Sequence, residues 1–296
     1  MGIAKRPSCV SLPDASKPYP TILSFLVQRF PGVSQAIWAQ RIADRKVIDA
    51  AGTPITMATP YLPRKRLYYF REVAAEPSIP LQEKILFQND EILVACKPPF
   101  LPVTPSGSYV NECLLNRLLL KTGNKHIVPL HRIDRETSGL VLFSMNKETR
   151  GRYAELFAKG RMEKSYEALA ELTQCPDKVE WTVENRLCRA DVWFRSQVTA
   201  GPVNARSQIR LVEFDKNRAR FLLYPFTGKK HQLRLHMSGL GFPIMHDRFY
   251  PVLLDKQEDD LSRPLQLIAR RIKFTDPLSG KVMEFASDRQ LAGSTT

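Results

Sequence analysis

The chain reads as an α+β protein, a sheet flanked by helices and preceded by a small N-terminal α/β domain. Three observations predict this. Residues 85–97 hold two β-rich runs around Asn89-Asp90-Glu91, the pattern of a hairpin. Lys164-Ser165-Tyr166-Glu167-Ala168-Leu169-Ala170 alternates, with Tyr166, Ala168 and Ala170 on one face of a strand. Leu114, Leu115, Leu118 and Leu119 form one helical stripe, and Tyr153, Leu156 and Phe157 form another. At 296 residues the chain exceeds what one core usually serves, so a large domain with a small one is expected.

Taken in order, residues 1–20 carry Pro7, Pro13, Pro18 and Pro20 and read as an extended arm. Ile22, Phe25, Leu26 and Phe30 then recur at helical spacing, Pro31-Gly32 ends that helix, and Val33-Ser34 opens a second one with Ile37, Trp38 and Ile42. Lys46-Val47-Ile48, a turn at Gly52 and the basic cluster Arg64-Lys65-Arg66 complete a small domain over 21–75, with a proline-bearing linker at 76–81. The large domain spans 82–290. Its hairpin ends at Lys97-Pro98, and Gly123-Asn124 breaks the Leu-rich helix before Pro129. Asn146 is placed to cap the next helix and Gly160 to end it. Leu265 to Phe274 reads as a helix or strand pair closing the sheet, and the tail from Ser287 is expected to fray.

Bulk composition narrows the function. Hydrophobic and charged residues, at 43% and 25%, are those of a globular protein. Lys and Arg number 44 against 30 Asp and Glu, a net charge of +14, and such a field attracts polyanions, nucleic acid above all. Residues 186–234 alone hold eleven Lys or Arg against three acids, interleaved with six aromatics, a pattern suited to a phosphate backbone. Five scattered cysteines (9, 96, 113, 175, 188) argue against a disulfide framework or zinc ribbon and for a reducing cytoplasm. No run reaches membrane-spanning length, and no signal-peptide pattern follows Met1.

The stretch that organises the large domain is His131-Arg132-Ile133-Asp134-Arg135-Glu136-Thr137-Ser138-Gly139, leading into Leu140-Val141-Leu142-Phe143. An acid flanked by Arg132 and Arg135 is expected to stay ionised, because nearby positive charge favours carboxylate. Such a residue caps a turn or bridges to its neighbours as readily as it acts as nucleophile or base. A second stretch, Thr227-Gly228-Lys229-Lys230-His231-Gln232-Leu233-Arg234-Leu235-His236, is a glycine turn into a helix whose Leu233, Met237 and Leu240 face the core.

The string HRIDRETSGLVLFS resembles the central signature of the large-ribosomal-subunit pseudouridine synthase A (RluA-type) family. Three further stretches continue the likeness: the hairpin with Lys97-Pro98, Tyr166 in its Lys-x-Tyr-x-Ala setting, and Thr227 to His236 with the following Gly241 to Tyr250. The resemblance covers residues 82–275. It implies a mixed, mostly antiparallel central sheet crossed by the catalytic cleft, with Asp134 as the catalytic aspartate and Arg132 filling the space left by a flipped base. It further implies that Tyr166 stacks on that base and that His131, Arg135, Thr137, His231, Gln232 and Arg234 help bind substrate. The family's first arginine in the Thr-Gly-Arg-x-His-Gln stretch pairs with the catalytic aspartate. Here that place is held by Lys229, which keeps the charge but loses the planar two-pronged contact. The small domain's helix pair and basic strand loosely resemble an RNA-binding module shared with a ribosomal small-subunit protein.

The activity implied is isomerisation of specific uridines in ribosomal or transfer RNA, with base flipping. The reaction gains and loses no atoms and no electrons, so it calls for neither metal nor cofactor. The aspartate attacks the sugar or removes a sugar proton, and the sequence leaves both routes open. The partner expected is structured RNA, with no membrane, no obligate protein partner and a monomeric chain in the cytoplasm. Two rivals are weighed. A metal-dependent hydrolase would use the five histidines, but His231 and His236 are five apart, about 140° from each other on a helix, and lack the zinc-pair spacing. An RNA-binding or assembly protein that has lost catalysis shares the motifs but not the turnover.

Overall fold

The computed structural model describes residues 2–291 apart from 5, 15–18, 173, 216 and 256. Parts of the N-terminal arm, Lys216 of the basic stretch, Lys256, and the tail beyond 291 therefore lie outside the described residues. The chain divides into two compact units, Met1–Pro77 with Pro105–Asn111, and Ser78–Thr104 with Glu112–Thr296.

The first unit contains β1 (Gly2–Ile3), β2 (Ser8–Ser11), α1 (Ile22–Arg29), α2 (Gln35–Ala43), β3 (Val47–Asp49), β4 (Arg66–Tyr69) and β5 (Glu72–Val73). Thr21 starts α1 with a reciprocal cap, its hydroxyl accepting from the Ser24 N–H while its own N–H donates to Ser24 Oγ. Strands β2, β4 and β3 pair antiparallel in that order, and β1 pairs with β5. The proline-bearing start is thus extended but not coreless. It supplies edge strand β2, which lies between Pro7 and Pro13, and Leu12 is buried with Phe25, Leu26, Trp38 and Val47. Residues 105–111 return to this unit, where the Glu76 carboxylate accepts from the N–H groups of Val110 and Asn111 at 2.6 Å each.

The second unit is an α+β layer structure. Its elements are β6 (Lys84–Gln88), β7 (Ile92–Lys97), α3 (Leu114–Thr122), β8 (Val128–Pro129), β9 (Ser138–Ser144), α4 (Arg150–Ala158), β10 (Glu163–Glu171), β11 (Glu180–Arg189) and β12 (Ser196–Thr199). They continue with β13 (Ala205–Asp215), β14 (Arg218–Pro225), α5 (Gln232–Gly239), β15 (Leu267–Thr275) and β16 (Val282–Ala286). The sheet runs β12-β11-β13-β14-β10-β15-β9-β7-β6, with β16 on β15 and β8 on β9. Among the described residues every pairing in it is antiparallel except β15 with β9, so the sheet is mixed and mostly antiparallel. Strands β7 and β9 are buried along their whole length, which explains their unbroken apolar runs. One core joins Ile92, Val94, Leu140 and Leu142 to Tyr153 and Leu156 of α4. A second joins Ala168, Ala170, Phe221 and Leu223 to Leu233 and Met237 of α5.

Several local expectations change. Helix α4 starts after Thr149, whose side chain makes no capping bond, and the Asn146 side chain instead accepts from the Glu148 N–H at 2.9 Å, making the turn before the helix. Residues 267–275 do not close the sheet but run through its middle between β10 and β9. The tail is held as far as Leu291, which is buried, and Arg270 donates to the carbonyls of Ser287 and Arg289. No helix of the described residues is long and apolar enough to cross a membrane.

Candidate active site

The signature loop spans residues 130–137, between the short strand β8 and the buried strand β9. These two strands pair antiparallel, Pro129 opposite Phe143, so the loop leads into a strand flanked by β15 and β7. Gly139 takes φ +107 where β9 meets both β7 and β15, opposite Lys97 and Ala269. A Cβ there would lie 2.7 Å from the Ala269 nitrogen and nearer still to its carbonyl oxygen, so only glycine lets the strands close up. From the far side Lys97 reaches under the loop. Its buried amine donates to the carbonyls of Pro98 (2.9 Å), Leu101 (2.7 Å) and Arg135 (2.9 Å). Burial without a bonded carboxylate pulls that amine down to about 7, with Glu136 and Asp134 opposing.

Asp134 stands at the top of this loop with a quarter of its side-chain surface open. Its Oδ2 is 3.6 Å from Nη1 of Arg234, on the first turn of α5, and its Oδ1 is 3.9 Å from Nε2 of His231. Desolvation raises the carboxyl above its ordinary range, and the Arg234 guanidinium is the main force holding it down. The flanking arginines are not the partners expected from the sequence. Arg135 grips Asp259 with two nitrogens (2.5 and 2.9 Å) and also pairs with Glu136, while Arg132 is exposed. Asp259 of the acidic stretch is thereby held on the signature loop.

Arg234 is almost wholly buried and its guanidinium is divided between tasks. Nε and Nη2 hold both oxygens of Asp247 at 2.7 and 2.6 Å, the fork-to-fork geometry guanidinium favours. The remaining Nη1 has no hydrogen-bond partner and points between Asp134 and Glu136, 3.6 Å from each. The plane lies 4.7 Å over the Phe249 ring and 5.6 Å over Tyr250. The pairing implied for Lys229 therefore falls to Arg234. Lys229 is exposed and its backbone is tied to Gln232, the N–H donating to Gln232 Oε1 and the carbonyl accepting from the Gln232 N–H, each at 3.1 Å.

His231 adopts φ +57 before α5, with Nδ1 2.9 Å from the Tyr250 hydroxyl. Burial first, then Arg234 and Lys230, push its pKa down to about 3, so the ring facing Asp134 is neutral. Tyr166 lies on β10 where the register against β15 shifts between Ser165 and Tyr166. Its phenol is raised by burial and then by the negative charge of Asp134. The structure thus brings together Asp134, His231 and Arg234, with the Tyr166 phenol within reach of the Asp134 charge.

Four other expected residues serve the scaffold. His131 turns inward, accepting the Leu142 N–H on Nε2 at 3.0 Å and stacking on Phe157. Thr137 is buried at the root of β9, and Arg135 is committed to Asp259 and Glu136. Gln232 spends its amide on Thr227, Lys229, Arg206 and Ser207, locking the turn before α5 to β13. Sequence reasoning missed Asp247 and Tyr250, which orient Arg234 and His231. Both lay in the Gly241 to Tyr250 stretch, and the signal was an acid and a phenol three residues apart just after the helix that carries Arg234.

Comparison with known proteins agrees with this geometry. Residues 91–239, half of the chain, match the model of the RNA pseudouridylate synthase family. The chain belongs to that family, whose members are isomerases converting uridine to pseudouridine in RNA. A dual-specificity RNA pseudouridine synthase RluA of Salmonella typhimurium is 31% identical over 207 residues, covering 68% of this chain and 90% of its own. An uncharacterised RNA pseudouridine synthase of Synechocystis is 26% identical over 230 residues, covering 77% and 79%. The solved structure of human RNA pseudouridylate synthase domain containing 1 shares the fold, with TM-score 0.57 at 20% identity over 73% of this chain and 86% of that one.

Proposed function

We propose that this chain isomerises uridines in structured ribosomal or transfer RNA, with Asp134 as the group that opens the glycosidic bond. The observation carrying this is the partly open carboxylate of Asp134 facing the orphaned Nη1 of a buried arginine. Both routes, attack at the sugar and removal of a sugar proton, need that carboxylate unprotonated, and Arg234 supplies the opposing charge. Tyr166 offers a flat face for the flipped base, and Arg132, exposed at the mouth, is free to occupy the gap left in the RNA. Lys229, Lys230 and the Arg-rich strands β11 to β14 meet the phosphates. The RNA classes follow the names of relatives, one called dual-specificity RluA and another, from Haemophilus ducreyi, called tRNA pseudouridine synthase C and 30% identical over 207 residues.

The first unit, with Lys65 and Arg66 exposed beside β4, supports an added RNA grip. The enzyme works as a monomer in the cytoplasm. Tritium release from carbon five of labelled RNA tests the reading. Asp134→Asn is expected to abolish release while RNA affinity stays within about threefold of wild type, and turnover by that variant would end the assignment. Mapping modified positions in total RNA with and without the protein identifies the target.

A further inference from the structure

The loop 190–195 joining β11 to β12 presents Trp193 with 65% of its surface exposed. A large indole left in water is an unfavourable use of apolar area unless something covers it. Its placement is fixed. The loop closes on itself through the Arg195 N–H to the Val192 carbonyl (2.8 Å) and the Ala190 N–H to the Arg195 carbonyl (3.2 Å). Phe194 meets Trp193 edge-on, with ring centroids 5.7 Å apart at 89°. Phe194 in turn packs on Phe249 at 5.2 Å, and Phe249 is the ring beneath the Arg234 guanidinium. A continuous run of rings therefore leads from the exposed indole to the cation that faces Asp134.

The charges beside this run choose the occupant. Arg132, Arg189 and Lys230 are exposed and form no ion pair among the described residues. Arg189 ends β11 where the loop begins, and Lys230 precedes His231, whose ring lies 5.5 Å from Phe249. The Lys230 amine, lowered by desolvation, is lowered further by Arg189 and Arg132, with Asp134 opposing. Asp191 is the single acid in the loop. An aromatic face beside three unpaired cations suits a polyanion that carries flat rings.

We propose that Trp193 is a stacking platform for a nucleotide flanking the target uridine, its phosphates lying along Arg189, Lys230 and Arg132. The proposal rests on the RNA-modifying role argued above and adds a subsite that selects substrate outside the pocket. A rigid indole held edge-on loses little freedom when a base settles on it, so stacking there favours RNAs that present an unpaired neighbour beside the target.

The test uses the full chain and tritiated total RNA from cells lacking the protein. Trp193→Ala is expected to raise KM about tenfold with kcat within about twofold. Trp193→Tyr is expected to restore KM, and Trp193→Leu, apolar but not aromatic, is expected not to. Filter retention of the same RNA by Asp134→Asn protein, with and without Trp193→Ala, reads the subsite without turnover, and a matching tenfold loss supports it. Unchanged KM and retention in Trp193→Ala overturn the proposal, as does full rescue by leucine. Wild-type protein that releases no tritium, yet binds RNA in a Trp193-dependent way, refutes the catalytic reading and leaves the platform standing.

Discussion

Nη1 of Arg234 stands 3.6 Å from Oδ2 of Asp134 while the other two nitrogens of that guanidinium hold Asp247. Three donors in one plane let a single side chain be anchored by one acid and aimed at another. An ammonium group is a point charge and does only one of these well. Arg234→Lys is therefore expected to lower kcat/KM about 10²-fold, whereas Lys229→Ala leaves kcat within about threefold, the scale of an exposed charge. Steady-state tritium release for both variants checks the contrast. The reverse order of effects would return the pairing to Lys229.

Asp134 titrates above the ordinary carboxylate range because burial outweighs the help from Arg234. Activity needs the ionised form, so kcat/KM is expected to fall as pH drops through that raised value. In Arg234→Gln the acid limb moves to higher pH, since the cation that held the carboxyl down is gone. A pH profile of residual activity, with limbs that coincide in the two proteins, would contradict this.

The same shift has a sign for stability. Folded protein takes up the Asp134 proton at a higher pH than unfolded chain, so the fold is weakened as pH rises from the unfolded value, about 3.9, through the folded one. Asp134→Asn removes that penalty. Calorimetry is expected to show a higher Tm for the variant at pH 7.5 and a shrinking gap toward pH 4. A lower Tm at neutral pH would mean the carboxylate stabilises the fold.

Three buried histidines act in the opposite direction. His131 and His231 are pushed to about 3, and His236 to about 4, by burial. They stay neutral in the folded chain and become charged in the unfolded one once pH falls below about 6.5. Stability contributed by their neutral form is present above 6.5 and lost progressively as pH falls to about 4 for His236 and about 3 for the other two. Unfolding at pH 5.5 is expected to take up about two to three more protons than at pH 7.5, read from the pH dependence of the urea-unfolding free energy.

Gly139 leaves no room between β9 and β15. Gly139→Ala combines a strained φ with pressure on the Ala269 backbone, and is expected to cost about 2–4 kcal/mol. Because the signature loop leaves the sheet at this point, kcat should fall with stability. Urea denaturation of the purified variant measures the loss, and a change under about 0.5 kcal/mol would show that the strands can part.

Elements whose signal is local were legible in the sequence: the hairpin ending at Lys97, the apolar run of β9, and the turn into α5. Strand β15 was not, because an apolar run reports that it is buried but not which strands lie beside it. Its place between β10 and β9 depends on pairings across more than a hundred residues. In the site, motif order brought Asp134, Tyr166, His231 and Arg234 to attention, yet gave no direction for each side chain. His131 turns inward to a backbone N–H, and Gln232 is used up holding a turn. The Arg234–Asp247 and Arg135–Asp259 pairs join residues that no periodicity connects.

The three oxygens that receive the Lys97 amine belong to the main chain. Carbonyls are present whatever side chain sits at 98, 101 or 135, so the clasp beneath the loop is indifferent to mutation at the very positions it grips. The carboxylate above them is therefore carried on main-chain contacts rather than on the identity of those side chains. Such freedom ends at the lysine itself, the one member of the clasp that a single codon can remove.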